Sequence, residues 1–179
     1  GVEVFGPAGI GGIDTVLDGG TSFAFAGRAV EVISTPGHTL AMLNYYLPAE
    51  KLVFTGDTLF AMGCGRLFEG DAPMMWDSLC KLMALADDTV VYCGHEYTAA
   101  NARFALSVDP ANTALQRRAE AVDELRSVGQ PTVPTMIALE KATNPFLRAG
   151  DAVLRAHLGM EEASDAEVFA EVRRRKDNF

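Results

Sequence analysis

The sequence lacks the features that would place it in several other classes of protein. No apolar run in its 179 residues reaches the roughly 20 residues of a membrane-spanning helix, so no membrane partner is expected. No charged segment followed by an apolar one opens the chain, so no secretory signal is predicted. Its 15 Lys and Arg residues face 24 Asp and Glu residues, a formal net charge of −9. Such a balance excludes a broad nucleic-acid-binding surface, and an anionic substrate would need a local basic patch.

Cysteines are also scarce. Cys64, Cys80 and Cys93 form no closely spaced pair of the kind that binds a metal, and their odd number argues against a disulfide framework. We therefore expect a reduced protein of the cytoplasm.

The chain begins at Gly1 rather than at a methionine, and it passes directly into the alternating segment Val2 to Phe5. We predict a strand there and expect the chain to be a portion of something longer. A sheet without its first strands would leave edges exposed. A monomer is then expected, with dimer formation through those edges as the alternative.

Short strand-like segments fill the first half of the chain. They are rich in β-branched and aromatic residues, and turn residues such as Asp18-Gly19-Gly20 separate them. The predicted strands are Phe23 to Phe25, Ala29 to Ser34, Leu43 to Leu47, Leu52 to Thr55 and Thr89 to Cys93. Short turns join the first four, so we predict a meander rather than repeated βαβ units.

Helical patterns take over after the fourth of these strands. Asp71-Ala72-Pro73 is typical of a helix start, and Tyr97 to Val108 has helical spacing. Beyond Pro110 we predict only helices: Asn112 and Thr135 as caps, Asp151 to Leu158 as a helix, and a capping box at Ser164. The sequence thus predicts an α/β part over residues 1–108 and an all-α domain over residues 109–179.

Three residues that can bind a metal follow predicted strands in the same way. His38, Asp57 and His95 each come directly after a glycine that ends a strand. Residues at strand ends along one edge of a sheet collect around one point. One such turn is more often a structural feature, but three in a short chain favour a site. Imidazole and carboxylate ligands together suit zinc, iron or manganese.

Seven longer segments then indicate a family. They are Thr35–Thr39, Phe54–Phe60, Gly63–Gly70, Val91–Thr98, Pro131–Thr135, Asn144–Arg148 and Arg173–Asp177. Together they resemble glyoxalase II (hydroxyacylglutathione hydrolase), within the metallo-β-lactamase fold superfamily, over essentially the whole chain. The resemblance implies an α/β fold, the αββα metallo-β-lactamase sandwich with its N-terminal part missing, plus a small helical substrate-binding domain.

The resemblance also implies roles for individual residues. His38 and His95 match ligands of two different metals, and Asp57 matches the catalytic carboxylate that bridges them. The expected cofactor is a binuclear zinc, iron or manganese centre. The expected substrate is a glutathione thioester, S-lactoylglutathione, hydrolysed to D-lactate and glutathione. Positions expected to contact the glutathione part are Arg66, Phe68, Tyr97, Arg173 and Lys176.

One family motif is absent from this sequence. No Thr-His-x-His-x-Asp-His string occurs, and the chain has only three histidines. Most ligands of the two metals would come from that motif, so we expect a partly filled or empty site and an impaired or inactive chain.

Two alternatives remain open. A persulfide dioxygenase uses one iron held by two His and one Asp on the same fold, and His38, Asp57 and His95 fit that formula. A non-catalytic remnant would keep the glutathione pocket without the chemistry.

Overall fold

The structure is a computed structural model that describes residues 1–179. The strands are β1 Phe5–Gly6, β2 Thr15–Val16, β3 Ser22–Phe25, β4 Arg28–Ser34, β5 Leu43–Leu47, β6 Leu52–Gly56, β7 Leu59–Phe60, β8 Gly63–Cys64, β9 Val90–Cys93 and β10 Thr135–Met136. The helices are α1 Ala72–Met83, α2 Thr98–Val108, α3 Thr113–Ser127, α4 Ile137–Thr143, α5 Ala152–Leu158 and α6 Asp165–Asp177. No helix combines the length and apolar composition that a membrane span requires.

The main sheet has six strands in the order β10-β9-β6-β5-β4-β3. Strands β3 to β6 run antiparallel one after another, which confirms the predicted meander. The chain then crosses over through α1, and β9 pairs parallel to β6. Because β4, β6 and β9 all run in the same direction, their carboxyl ends lie at the same edge of the sheet.

Alternation along the strands separates a buried face from an exposed one. Val53 and Val91 are fully buried, whereas their neighbours Phe54 and Tyr92 face outward and stack with ring centroids 5.4 Å apart. The buried face meets a core cluster of 18 residues drawn from the sheet, from α1 and from helices as distant as α6. The helical part of the chain therefore packs on the same core as the sheet.

Side-chain caps begin most of the helices. Asp71 accepts a hydrogen bond from the backbone of Met74 at the start of α1, and Asn112 accepts one from Leu115 at the start of α3. Ser164 and Glu167 form both bonds of a capping box at α6. The helix starts predicted at these three positions are confirmed.

Two predictions of secondary structure are wrong. Thr135 does not cap a helix. Thr135–Met136 forms strand β10 against β9, and the Thr135 hydroxyl donates to the Glu140 carboxylate. The region beyond Pro110 is therefore not helical throughout. The alternating segment from Val2 to Phe5 is mostly irregular, because only Phe5–Gly6 finds a strand partner, in β2. Both errors have one cause: pairing with a distant strand decides where a short strand forms.

Candidate metal and substrate site

The three predicted ligand residues lie together at the carboxyl edge of the sheet. His38 follows β4, Asp57 directly follows β6, and His95 lies two residues beyond β9. These are the three strands of the main sheet that run in the same direction and end at that edge. The convergence predicted from the glycine turns is therefore present.

The Asp57 carboxylate lies between the two imidazole rings. Its Oδ2 is 3.5 Å from His38 Nε2, and its Oδ1 is 3.5 Å from His95 Nε2. The other ring nitrogen of His38, Nδ1, donates to the Arg66 carbonyl oxygen over 2.9 Å. That bond leaves the Nε2 lone pair of a neutral ring directed at Asp57, which is how a metal ligand is commonly oriented.

Gly94 gives the carboxylate room. A Cβ atom at position 94 would lie 2.6 Å from Asp57 Oδ1, closer than such atoms approach one another. The glycine before His95 is thus required by the close approach of Asp57. At Gly56 the reason differs, because its φ of +48° falls in the left-handed region that favours glycine.

A cavity of about 510 Å³ opens over these three residues. All eight site residues predicted from the sequence line its wall: His38, Asp57, Arg66, Phe68, His95, Tyr97, Arg173 and Lys176. Sequence reasoning did not single out the other five lining residues, Phe60, Cys64, Gly65, Ala100 and Asn101. Phe60, Cys64 and Gly65 lie in segments that carry the family resemblance, whereas only the fold places Ala100 and Asn101 at the cavity.

Aromatic rings form one side of the cavity. The Tyr97 ring stacks on the His95 ring at 5.0 Å, and Phe60 meets Tyr97 edge to face at 5.5 Å. Phe68 also lines the cavity; it is 70% exposed and its ring lies 5.0 Å from that of His38. These contacts hold the imidazoles between apolar surfaces that a ligand can also cover.

A local basic patch, formed by Arg66, Arg173 and Lys176, lies in the wall of the same cavity. Burial lowers the pKa of the Lys176 ammonium, and the nearby charges of Arg173, Arg103 and Arg66 lower it further. The ammonium lies over the rings of Phe104 and Phe179, 5.1 and 5.4 Å from their centroids. A cationic cluster in a chain of net charge −9 attracts a ligand carboxylate to this place.

Arg173 is placed differently from Lys176. Its side chain is only 5% exposed, Nη1 donates to the Cys64 carbonyl oxygen at 3.0 Å, and Nη2 donates to Asp177 at 2.9 Å. The guanidinium thus joins α6 to the cavity wall. Direct contact between Arg173 and a ligand stays a prediction.

The residues present are of the types that bind a metal, but they provide only part of the ligands that it would need. Each histidine faces one oxygen of Asp57, and the cavity wall has no further His, Asp or Glu. Nowhere in the chain are three or more His, Cys, Asp or Glu side chains arranged so that they could hold a metal ion by themselves. Cys64 is a poor fourth ligand, because burial raises the pKa of its thiol to about 11 and metals bind the thiolate.

Comparison with known proteins first defines the class. Residues 4–95 match the model of the metallo-beta-lactamase superfamily. Among solved structures, ETHE1 from Myxococcus xanthus superposes with a TM-score of 0.63 and 26% identity, over 96% of this chain and 56% of that one. The BLEG-1 B3 metallo-beta-lactamase superposes with a TM-score of 0.52 and 25% identity, over 75% of this chain and 49% of that one. The chain spans about half the length of these two structures.

The remaining residues define the family. Residues 96–179 match the model named hydroxyacylglutathione hydrolase C-terminus. The whole chain is 60% identical to the hydroxyacylglutathione hydrolase of Rhizobium meliloti, spanning 72% of that protein, and 57% identical to that of Brucella abortus, spanning 71%. The chain belongs to the hydroxyacylglutathione hydrolase family, which are hydrolases of the metallo-β-lactamase superfamily.

Proposed function

We propose that this chain provides the substrate pocket and part of the metal site of a hydrolase for S-(2-hydroxyacyl)glutathione thioesters, with S-lactoylglutathione as substrate. In that reaction water adds to the thioester carbonyl and the carbon–sulfur bond breaks. D-lactate and glutathione are released. The single observation that carries the proposal is that the basic patch and the His38–Asp57–His95 group line one and the same cavity.

The lining of the cavity suits a substrate that carries a carboxylate away from its reacting bond. The glycine carboxylate of glutathione would bind near Lys176 and Arg66, and the tripeptide would extend along the wall that includes Tyr97. Its thioester carbonyl would then lie near Asp57. Anchoring the distant carboxylate restricts the reacting carbonyl to one position, which is how binding energy far from the reaction lowers the barrier.

His38, Asp57 and His95 would hold zinc, iron or manganese. A bound ion would supply Lewis acidity and a nucleophile at neutral pH. The chain's own contribution is orientation: the Arg66 carbonyl fixes the His38 ring, and Gly94 leaves space for the Asp57 carboxylate. Thiolate is a good leaving group, so no strong general acid is required. The three free cysteines are consistent with a reducing compartment such as the cytoplasm.

We also propose that the chain alone is impaired or inactive. Its three histidines include His157, which is exposed on α5 and does not line the cavity. Only one imidazole is therefore available for each of two metals, with Asp57 shared between them. Two metals would be short of ligands on both sides.

A mononuclear iron enzyme of the persulfide dioxygenase type is the second candidate. The observation that favours it is that both histidines face a single carboxylate, as two His and one Asp would around one iron. The match of residues 96–179 to the hydrolase family supports the first proposal instead. Iron content, together with oxygen uptake in the presence of glutathione persulfide, separates the two.

Binding of glutathione derivatives tests the substrate class directly. Calorimetry would compare S-methylglutathione with the same compound amidated at its glycine carboxylate, which has nearly the same length but no negative charge there. We expect S-methylglutathione to bind about 10- to 100-fold more tightly, because a charge-assisted contact is worth roughly 1.5–3 kcal/mol. Equal affinities would remove the proposed role of the basic patch, and no binding of either compound would overturn the substrate assignment.

A further inference from the structure

The hairpin β7–β8 lies between the active-site cavity and the helical part of the chain. Phe60 and Cys64, one in each strand, line the cavity, and the Phe60 ring lies 6.1 Å from that of His95. The turn between the strands contains Met62, whose φ of +53° is in the left-handed region. Residues with a side chain seldom adopt this region, so neighbouring contacts have to hold it.

Side chains from the helical region bind the backbone of this turn. Glu140 Oε2 accepts from the Met62 N–H at 2.8 Å, and Asn144 donates to the Gly63 carbonyl at 3.0 Å. Asn101 of α2 donates to the Ala61 carbonyl at 3.0 Å. The Asn101 amide lies so close that a Cβ at Gly63 would approach its Nδ2 to 2.4 Å.

Glu140 is the centre of these contacts. It is fully buried, and its Oε1 accepts from Arg118 Nη2 and from the Thr135 hydroxyl, each at 2.6 Å. Its Oε2 accepts from Asn144 at 2.9 Å as well as from Met62. Each of the two oxygens therefore faces two hydrogen-bond donors, which suits a carboxylate. A carboxamide would not fit, because its NH₂ group would face two of these donors.

We propose that Glu140 is a positioning residue for the active site, acting through the hairpin. Its carboxylate, held by Arg118, fixes Met62 in the left-handed conformation. The hairpin then keeps Phe60 against His95 and Tyr97. The inference deepens the proposed function and rests on it for its catalytic meaning. The effect of Glu140 on the hairpin and on His95 can be measured without any glutathione compound. A failure of this inference can therefore be told apart from a failure of the proposed function.

The test compares Glu140→Gln with Asp109→Asn. Asp109 is a matched control because its carboxylate is 1% exposed and pairs with Arg148 at 3.0 Å, yet it makes no bond to the hairpin. In each variant, the hydrogen-exchange rate of the Met62 amide is divided by the exchange rate of the Val91 amide, a buried residue of β9. This ratio removes the contribution of overall destabilisation. We expect it to rise at least tenfold in Glu140→Gln and to stay unchanged in Asp109→Asn.

The second readout is the NMR signal of the His95 ring. The chain has three histidines, so a His157→Gln background and a His38→Gln background assign the signals. We expect Glu140→Gln to shift the His95 signal because Phe60 moves, and Asp109→Asn to leave it in place. If Glu140→Gln does not fold, Glu140→Leu combined with Arg118→Met removes both charges together and leaves no buried charge unpaired.

Two results would overturn the proposal. An unchanged exchange ratio in both Glu140 variants would mean that the hairpin does not depend on this carboxylate. A raised ratio with an unshifted His95 signal would mean that Glu140 holds the hairpin without positioning the site.

Discussion

His38 donates through Nδ1 to the carbonyl oxygen of Arg66, 28 residues further along the chain. A carbonyl can only accept, so the neutral ring must carry its proton on Nδ1. We therefore expect the Nδ1–H tautomer of His38, which long-range nitrogen–proton correlations of the imidazole measure directly. The exposed ring of His157 is the internal control. A neutral His38 protonated on Nε2 would contradict the orientation described for this side chain.

Substituting Gly94 with alanine should disturb the Asp57 carboxylate. The new Cβ would lie 2.6 Å from Oδ1, so the carboxylate has to move away from His95. We expect zinc or manganese affinity to fall by about 10- to 100-fold, the usual cost of disturbing the groups that orient metal ligands. Competition with a metal-binding dye measures the affinity. Gly11→Ala is the matched control, because a Cβ there meets no atom within 4 Å. Equal affinity in the two variants would refute the close-approach argument.

Replacing Lys176 with methionine should separate binding from stability. Burial, followed by three arginine charges, lowers the pKa of this ammonium, so its protonated form is disfavoured in the folded state. Between the lowered pKa of the folded state and the ordinary lysine pKa of 10.5 the unfolded chain binds more protons, and stability rises with pH across that window. At pH 7 the variant should be at least as stable as the parent, because the disfavoured charge is gone.

The same variant should bind S-methylglutathione about 10- to 100-fold more weakly, because one charge-assisted contact is lost. Thermal unfolding and calorimetry measure the two effects. Arg174→Met is the control for the binding measurement, since Arg174 lies on the same helix and does not line the cavity. A destabilised Lys176→Met variant with unchanged affinity would make Lys176 a structural residue only.

Glu171 should contribute to acid stability. Hydrogen bonds from Arg174 and Arg175 lower its pKa from 4.5 to about 2. A depressed folded-state pKa gives stability that is present above pH 4.5 and is lost as the pH falls toward 2. The free energy of unfolding of Glu171→Gln at pH 7 should therefore be lower by up to about 1 kcal/mol, in the range of surface ion pairs. Its stability should also fall less steeply as the pH drops from 4.5 toward 2.

Urea unfolding measured at a series of pH values checks this prediction. Glu120→Gln, at an exposed position of α3, serves as the comparison. If the stability of both variants falls with decreasing pH as that of the parent does, the ion pairs at Glu171 make no measurable contribution to stability.

Local patterns in the sequence were enough to find much of the site. A strand, a glycine and a ligand-type residue occur three times, and parallel strand ends bring His38, Asp57 and His95 together. The helix caps at Asp71, Asn112 and Ser164 are equally local, since each bonds within three residues. The residues that carry the family resemblance indicated the cavity wall.

Other features depend on contacts between residues far apart in the chain. Thr135 has the residue type of a helix cap, but pairing with Val91 makes it a strand residue. Nothing near Glu140 in the sequence indicates Met62, which lies 78 residues away. Asn101 gives no local signal of its place, and only the folded chain brings it to the cavity. Tertiary pairing decides such positions, and local propensity does not report it.

The most direct test of the central claim is one preparation of the chain with three measurements: metal content, binding of S-methylglutathione and hydrolysis of S-lactoylglutathione. The account predicts that the glutathione derivative binds, that less than a full pair of metal ions is held, and that hydrolysis is far slower than the roughly 1–1,000 s⁻¹ of ordinary enzymes. A full pair of tightly bound metal ions with turnover in that range would contradict the claim that His38, Asp57 and His95 supply only part of the site.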